Sequence, residues 1–342
     1  MKTLNLLLFL FIIITFFSAC KKNTDNKKDG CPMFSIVPEQ PYDNPIWHPS
    51  GQIIGFNHKP IKEINYAYGY DCPMQASYTY DDEATGFYLI NADGTNQRKV
   101  LPYYLQTPVW SHDGQWIAFV NGGQIYKMPF DGVNFDTTAI EQLTFNGNNF
   151  FPAWSPDDNL ITYEQSVCSD NLICGIWSVD ANTHSNISLV SYAQYSDWIH
   201  NTSSFIYSKN SYLNGTDIGD TICKYNYITN TNYLIKFISE PRTDNRYFKY
   251  NPVYNTIAYC STGDIPEENG IWILEDTVNT QEQLLVSEAA SFSWSPDGKY
   301  LVYLYRANNY RIDEEKGALW IIDVETKEKR QLTHNQFNLI IN

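Results

Sequence analysis

The sequence predicts an all-β chain built from six repeats of a four-stranded antiparallel unit. Three observations carry that prediction. A segment with a large aromatic, a polar knuckle and an alternating apolar run recurs along the chain, as in TPVWSHDGQWIAF (107–119) and SFSWSPDGKYLVY (291–303). The key aromatics Trp47, Trp110, Trp154, Trp198, Tyr250 and Trp294 stand 63, 44, 44, 52 and 44 residues apart. A period near 44 is that of a propeller blade, which takes about 40–45 residues. Finally, no stretch after the first 20 residues sustains a helical rhythm, whereas period-2 alternation bounded by Asp-Gly or Asn-Gly is frequent.

Each unit opens with the aromatic-bearing strand and its knuckle, of which NPIWHPSGQIIGF (44–56), FPAWSPDDNLITY (151–163) and YSDWIHNTSSFIY (195–207) are further copies. FKYNPVYNTIAY (248–259) is a degraded copy with Tyr250 in the place of Trp. An alternating second strand follows, such as Trp116-Ile117-Ala118-Phe119-Val120. A third strand is introduced by Gly in GFYLINADG, GQIYKMPFDG, GIWSVD, GIWILED and GALWIID, and ICKYN (222–226) fills this place in the fourth unit. The fourth strand is polar and often ends in Gln-Leu-Thr, as in EQLTF (141–145) and RQLTH (330–334). The long first interval holds about 19 residues beyond the period. That is too few for a further blade, so the count is six, with seven as the alternative. Residues 31–43 are expected to pair with the last unit and close a six-bladed β-propeller, hiding the sheet edges that an open array exposes.

The amino terminus is read separately. An apolar run from Leu6 to Phe17 follows Lys2 and is shorter than the roughly 20 residues a membrane-spanning helix needs. Its length and flanks are those of a secretory signal peptide. Phe17-Ser18-Ala19-Cys20 resembles the lipobox of bacterial lipoproteins. That resemblance implies cleavage after residue 19 and acylation of the Cys20 sulfur and amine, and several acyl chains anchor far more firmly than one. Residues 20–30 then form the lipidated Cys and a charged, flexible tether, and 31–342 the propeller. Lys21 rather than Asp after the Cys points to the outer membrane of a Gram-negative cell, facing periplasm or exterior.

Loss of Lys2 with the leader takes the formal charge from −15 to −16, which argues against nucleic acid or anionic lipid surfaces as partners. Six cysteines remain besides Cys20, an even number consistent with disulfides in an exported chain. Cys168 and Cys174 would close the small loop VCSDNLIC; Cys31–Cys72 and Cys223–Cys260 follow by proximity in the repeat frame. No spacing resembles a structural zinc site.

The aromatic, Ser/His-Pro-Asp-Gly and Gly-Ile-Trp features over residues 40–335 resemble the repeats of TolB-type six-bladed propellers, a kind related to WD repeats. One fold hosts many activities, so the resemblance speaks to architecture first. It implies that a protein partner is received at the mouth of the central channel. The amino-terminal domain of TolB has no counterpart, since only about 20 residues separate Cys20 from the first unit.

The knuckle itself is read as a turn. Pro156 and Pro296 set φ, Asp157 and Asp297 accept backbone N–H bonds, and Gly298 supplies a φ other residues resist. Six copies around a ring are not expected to converge on one atom, and His48, His112 and His200 in these knuckles are expected to be spread rather than gathered. No nucleophile elbow, zincin, phosphate-loop or dinucleotide motif occurs, and a hydrolase domain after the last unit is not expected. The chain is therefore expected to be non-enzymatic and to need no metal or cofactor, with a propeller lyase or hydrolase holding an axial metal as the least-favoured alternative.

Binding is placed in the unrepeated segments. The connection 57–85 carries Tyr66, Tyr68, Tyr70, Tyr78 and Tyr80, as a contact surface or as a lid packed on the first unit. Asn148, Asn149, Phe150, Tyr195, Asp197, Arg246 and Tyr247, where the first strands begin, are expected to line the channel mouth. The expected partner is a protein or peptide of the cell envelope, with a glycan as the alternative.

Overall fold

The computed structural model describes residues 39–67, 75–169, 173–213, 216–239, 246–261, 269–277, 280–306 and 312–341. The first four-stranded sheet opens with β1 (Tyr42–Trp47) and β2 (Ile53–His58). A hairpin of β3 (Ile61–Ala67) and β4 (Gln75–Tyr80) intervenes before β5 (Gly86–Asn91) and β6 (Arg98–Leu101) complete it. The second sheet holds β7 (Gln106–Trp110), β8 (Trp116–Asn121), β9 (Gln124–Pro129) and β10 (Glu141–Gln142). In the third are β11 (Asn149–Trp154), β12 (Leu160–Gln165), β13 (Gly175–Asp180) and β14 (Asn186–Ser191). The fourth has longer members, β15 (Gln194–Trp198), β16 (Ser204–Leu213), β17 (Thr216–Asn226) and β18 (Thr231–Ser239). The fifth contains β19 (Arg246–Tyr250), β20 (Thr256–Ser261), β21 (Gly270–Glu275) and β22 (Gln283–Ser287). The sixth comprises β23 (Ala289–Trp294), β24 (Tyr300–Tyr305), β25 (Leu319–Asp323) and β26 (Lys329–Gln331). Strand order in each of the six follows the chain, and every pairing within them is antiparallel.

This is a propeller-like, all-β architecture. The extra length of the first interval does not build a seventh four-stranded sheet. It forms the β3–β4 hairpin, which takes β27 (Asn338–Ile341) in parallel alongside β3 as a three-stranded satellite.

Alternation explains the packing. Ile117 and Phe119 face Phe87 and Leu89 of the first sheet, while Ala118 and Val120 face Trp154 and Ile161 of the third. Central strands are thus buried on both sides, the pattern a near-continuous apolar run encodes. Six hydrophobic clusters lie between successive sheets, and one of them joins Tyr42, Ile54 and Phe56 of the first to Val302, Leu304 and Leu319 of the sixth. Each key aromatic belongs to the cluster it shares with the preceding sheet. Three donate their indole N–H across the gap, Trp294 to the Lys249 carbonyl (3.1 Å), Trp154 to that of Val109 (3.3 Å) and Trp198 to the Thr162 hydroxyl (3.1 Å). Burying so large a ring contributes on the order of 5 kcal/mol from its 150–250 Å² of surface.

Smaller signatures have local causes. The Gly opening the third strand lets the fourth approach closely: a Cβ on Gly270 (φ +153°) would overlap the Val286 carbonyl. In Gln-Leu-Thr, the Leu enters the core and the Thr hydroxyl accepts a third-strand N–H, Ile125 to Thr144 and Leu319 to Thr333, both 2.9 Å.

Two expectations need correction. Residues 42 and 43 do not pair with the last sheet: Tyr42 and Asp43 pair with His58 and Asn57, because residues 289–331 already supply the sixth sheet with four strands. Side chains bridge that seam instead, with Ser291 Oγ donating to Asp43 Oδ1 (3.0 Å) and Trp47 N to Ser293 Oγ (3.0 Å). Cys223 and Cys260 are not bonded to one another. Cys223 packs between the third and fourth sheets and the Cys260 thiol between the fifth and sixth, where it donates to the Ala289 carbonyl (3.5 Å). Cys168 and Cys174 are joined as a disulfide. Cys20, Cys31 and Cys72 lie outside the described residues.

Candidate binding site

Each innermost strand loses register once. The breaks fall between Asp43 and Ile46, Gln106 and Val109, Phe150 and Ala153, Gln194 and Asp197, Arg246 and Lys249, and Ala290 and Phe292. In every break one non-glycine residue adopts a left-handed φ: Asn44 50°, Thr107 46°, Phe151 52°, Tyr195 51°, Tyr247 58° and Ser291 36°. Such a backbone costs about 1–3 kcal/mol for an L residue, more readily borne by Asn than by β-branched Thr. A bulge re-aims the side chain it carries. Here the consequence is convergence, because all six residues line one cavity of about 70 Å³ among the six inner strands.

The six side chains divide by chemistry. Phe151, Tyr195 and Tyr247 form an aromatic cluster, with ring centroids 4.7, 5.7 and 6.0 Å apart. Opposite in character are Asn44, Thr107 and Ser291. Asn44 Nδ2 and Ser291 Oγ both donate to the Asp43 carboxylate, whose pKa burial raises, opposed by the Asn44 backbone N–H and the Ser291 hydroxyl. Thr107 Oγ1 is buried without a hydrogen-bond partner, an acceptor and donor held at the cavity wall.

A second chamber of about 420 Å³ shares Ile46, Pro108, Val109, Lys249 and Phe292 with the first and extends to the knuckles. Trp47, Trp110, Trp154, Trp198, Tyr250 and Trp294 all contribute to its wall. Between the two stands an ion pair, Lys249 Nζ to Asp197 Oδ1 at 2.9 Å, whose other carboxylate oxygen accepts the Tyr250 N–H (2.8 Å). Asp197 is therefore occupied in tying the fourth sheet to the fifth.

The knuckle histidines are not all spread. His112 and His200 lie with ring centroids 5.6 Å apart, because they occupy the column in which Pro49, Pro252 and Pro296 also border the chamber. His112 Nδ1 is 3.1 Å from Asp158 Oδ1, and burial together with the His112 charge lowers the His200 pKa. His48 stands apart, its Nε2 3.1 Å from the Gly114 carbonyl. Among the described residues no group of three or more His, Cys, Asp and Glu is placed to hold a metal ion.

The expected site residues fare unequally. Tyr195 and Tyr247 line the axial cavity, but the neighbouring position is Phe151 rather than Phe150. Asn149 is structural, its amide donating to Gln124, Thr144 and the Asn146 carbonyl. Asn148 uses its backbone, N–H to Gln165 Oε1 and carbonyl from Ser166. Arg246 pairs with Cys260 at the start of β19. Tyr66 pairs with Ile341 in the satellite sheet, and Tyr78 packs on the satellite's own cluster of Ile61, Ile64 and Ile312. Tyr68 and Tyr70 lie outside the described residues. Asn44, Thr107, Phe151 and Ser291 were not foreseen. Their signal was present: all six axial residues stand three before the key aromatic, in the repeat column that reads Asn, Thr, Phe, Tyr, Tyr, Ser.

Fold and axial cavity together define the class, an all-β propeller-like protein. Among solved structures it is similar to TolB from Acinetobacter baumannii, at 18% identity over 86% of this chain and 64% of that one, TM-score 0.57. A putative TolB from Agrobacterium tumefaciens shows 17% identity over 75% of this chain and 87% of that one, TM-score 0.52. An oligogalacturonate lyase in complex with manganese shows 10% identity over 86% and 78%, TM-score 0.53. Likeness at such identities defines the fold and nothing finer, and the chain spans 64% of the length of the Acinetobacter protein. No protein-family model matches the sequence, and no curated protein does.

Proposed function

We propose that this chain is a non-enzymatic binding module of the cell envelope. In this reading the six sheets are the blades of a closed propeller, held to the outer membrane through acylated Cys20. A protein or peptide segment enters the axial mouth. The observation that carries the proposal is the ring of six left-handed residues around one cavity, whose side chains differ from unit to unit. Their groups are a phenyl, two phenols, an amide and two hydroxyls, suited to gripping an amphipathic segment and containing no acid–base pair. Backbone strain at six equivalent points is consistent with a preorganised binding surface.

A glycan at the same mouth is the second reading, favoured by the aromatic cluster facing hydroxyl and amide groups. Detergent-solubilised full-length protein tested against envelope proteins and against a glycan array separates the two. Replacing Tyr195 and Tyr247 with Ser is expected to weaken capture of an envelope protein at least about tenfold while the fold persists. Undiminished capture by this variant sinks the axial assignment, and binding confined to the array favours the glycan.

A further inference from the structure

Away from the axis, a cavity of about 420 Å³ lies at the seam of the first and sixth sheets. Tyr42 and His58 form one wall, Gly94 and Gln97 a second, and residues 332–336 after β26 the third. None of its lining side chains is Asp, Glu, Lys or Arg, although 18% of the chain is charged. The lining instead offers hydroxyls, amides and imidazoles.

Neighbouring hydrogen bonds preset several of these groups. His58 Nδ1 is 2.7 Å from the Pro41 carbonyl, which only accepts, so Nδ1 carries the proton and Nε2 is left as an acceptor. Asn335 Nδ2 donates to the Asp313 and Lys316 carbonyls (2.8 and 3.0 Å), which leaves Oδ1 as an acceptor. The Gln97 and Gln336 amides each add donors and an acceptor. Tyr42 and His58 stack face to face, centroids 4.1 Å apart and 11° from parallel.

A neutral ligand suits this wall best, because no carboxylate, ammonium or guanidinium in the lining offers a charge a partner of opposite sign. It must also both donate and accept hydrogen bonds several times over a small volume. The cavity falls within the roughly 300–1,000 Å³ of small-ligand sites. We propose that the seam cavity binds a neutral carbohydrate residue. This site is separate from the axial cavity and does not rest on the reading given to it.

The test uses full-length protein in detergent, titrated calorimetrically with glucose, galactose, N-acetylglucosamine and maltose, and with glucuronate as the charged counterpart of glucose. At least one neutral sugar is expected to bind saturably below about 20 mM, with glucuronate at least about tenfold weaker than glucose. The pair Gln97→Ala and Gln336→Ala, both exposed and outside the core, is expected to weaken sugar binding about tenfold. His58→Phe, which keeps the ring stack and removes the Nε2 acceptor, is expected to do the same. Replacing Tyr195 and Tyr247 with Ser should leave sugar binding unchanged. Absence of saturable binding by all four neutral sugars overturns the proposal. So does equal affinity for glucuronate, unchanged binding by the Gln97/Gln336 variant, or loss confined to the axial variant.

Discussion

His58 is 7% exposed and surrounded by the rings of Tyr42, Phe56 and Tyr88, with the Pro41 carbonyl as its ring's hydrogen-bond partner among the described residues. Burial disfavours its charged form and lowers its pKa from 6.5 to about 4, and the Pro41 bond opposes this only in part. Protons therefore bind the unfolded chain first. The stability this residue supplies is complete above about pH 6.5 and is lost as pH falls towards 4, by up to about 3 kcal/mol. Urea unfolding at pH 7 and pH 5 should show a larger loss in the native chain than in His58→Phe. Equal losses in the two would place the acid sensitivity elsewhere. The sequence offered His58 only as one of six histidines, since Tyr42 and Tyr88 come from strands β1 and β5, 16 and 30 residues away in the chain.

The knuckle is the element that defines the repeat, and its logic is hydrogen bonding. In the sixth sheet Ser295 Oγ donates to Asp297 Oδ1 (2.6 Å) and accepts from Tyr300 N (2.9 Å), while Gly298 N donates to the Ser295 carbonyl (2.9 Å). Ser111 with Asp113 and Ser155 with Asp157 repeat the first contact at the same distance. Knuckles also touch one another: Asn251 Nδ2 of the fifth sheet donates to the Gly298 carbonyl (2.8 Å). Where Asp158 replaces Gly in the third, it keeps a positive φ of 56° and accepts the backbone N–H groups of His112 and Asp113. A Cβ on Gly298 would overlap Asn251 Oδ1, which is pinned by the Val253 and Tyr254 N–H groups. Gly51 has a similar φ of 75° and open space around it. Gly298→Ala is thus expected to cost roughly 2–3 kcal/mol and Gly51→Ala about 1 kcal/mol, read as urea midpoints. Equal costs would mean that contact between knuckles contributes nothing.

For the whole molecule, the seam is where stability and organisation meet. The main body buries its clusters between successive sheets, whereas Ile61, Ile64 and Ile312 form a separate small cluster with Tyr78 and Phe337 against it. β27 supplies one edge of that satellite. Deleting residues 338–342 should speed proteolysis within 61–80 while moving the main unfolding transition little, because the six larger clusters are untouched. A shift of the global transition as large as the local loss of protection would show that the satellite holds the six sheets together.

Much of this was legible in the chain. Order and type of the strands in the six four-stranded sheets follow from period-2 alternation and a 44-residue repeat, because both are local properties of extended backbone, whereas the β3–β4 hairpin and β27 lie outside the repeat and were not foreseen. The wedge role of Trp294 and the turn role of Ser295–Gly298 were readable for the same reason. Tertiary structure alone decided which residues meet. A one-residue bulge turned Phe151 rather than Phe150 to the axis. The different sheet interfaces kept Cys223 and Cys260 apart, although the repeat frame set them close. Convergence of the sheets brought His112 to His200 across an intervening knuckle, against the expectation that repeated positions stay apart. Facing in a strand reverses with each residue and neighbours in a ring are some 45 residues apart in sequence, so neither relation is written in any local stretch.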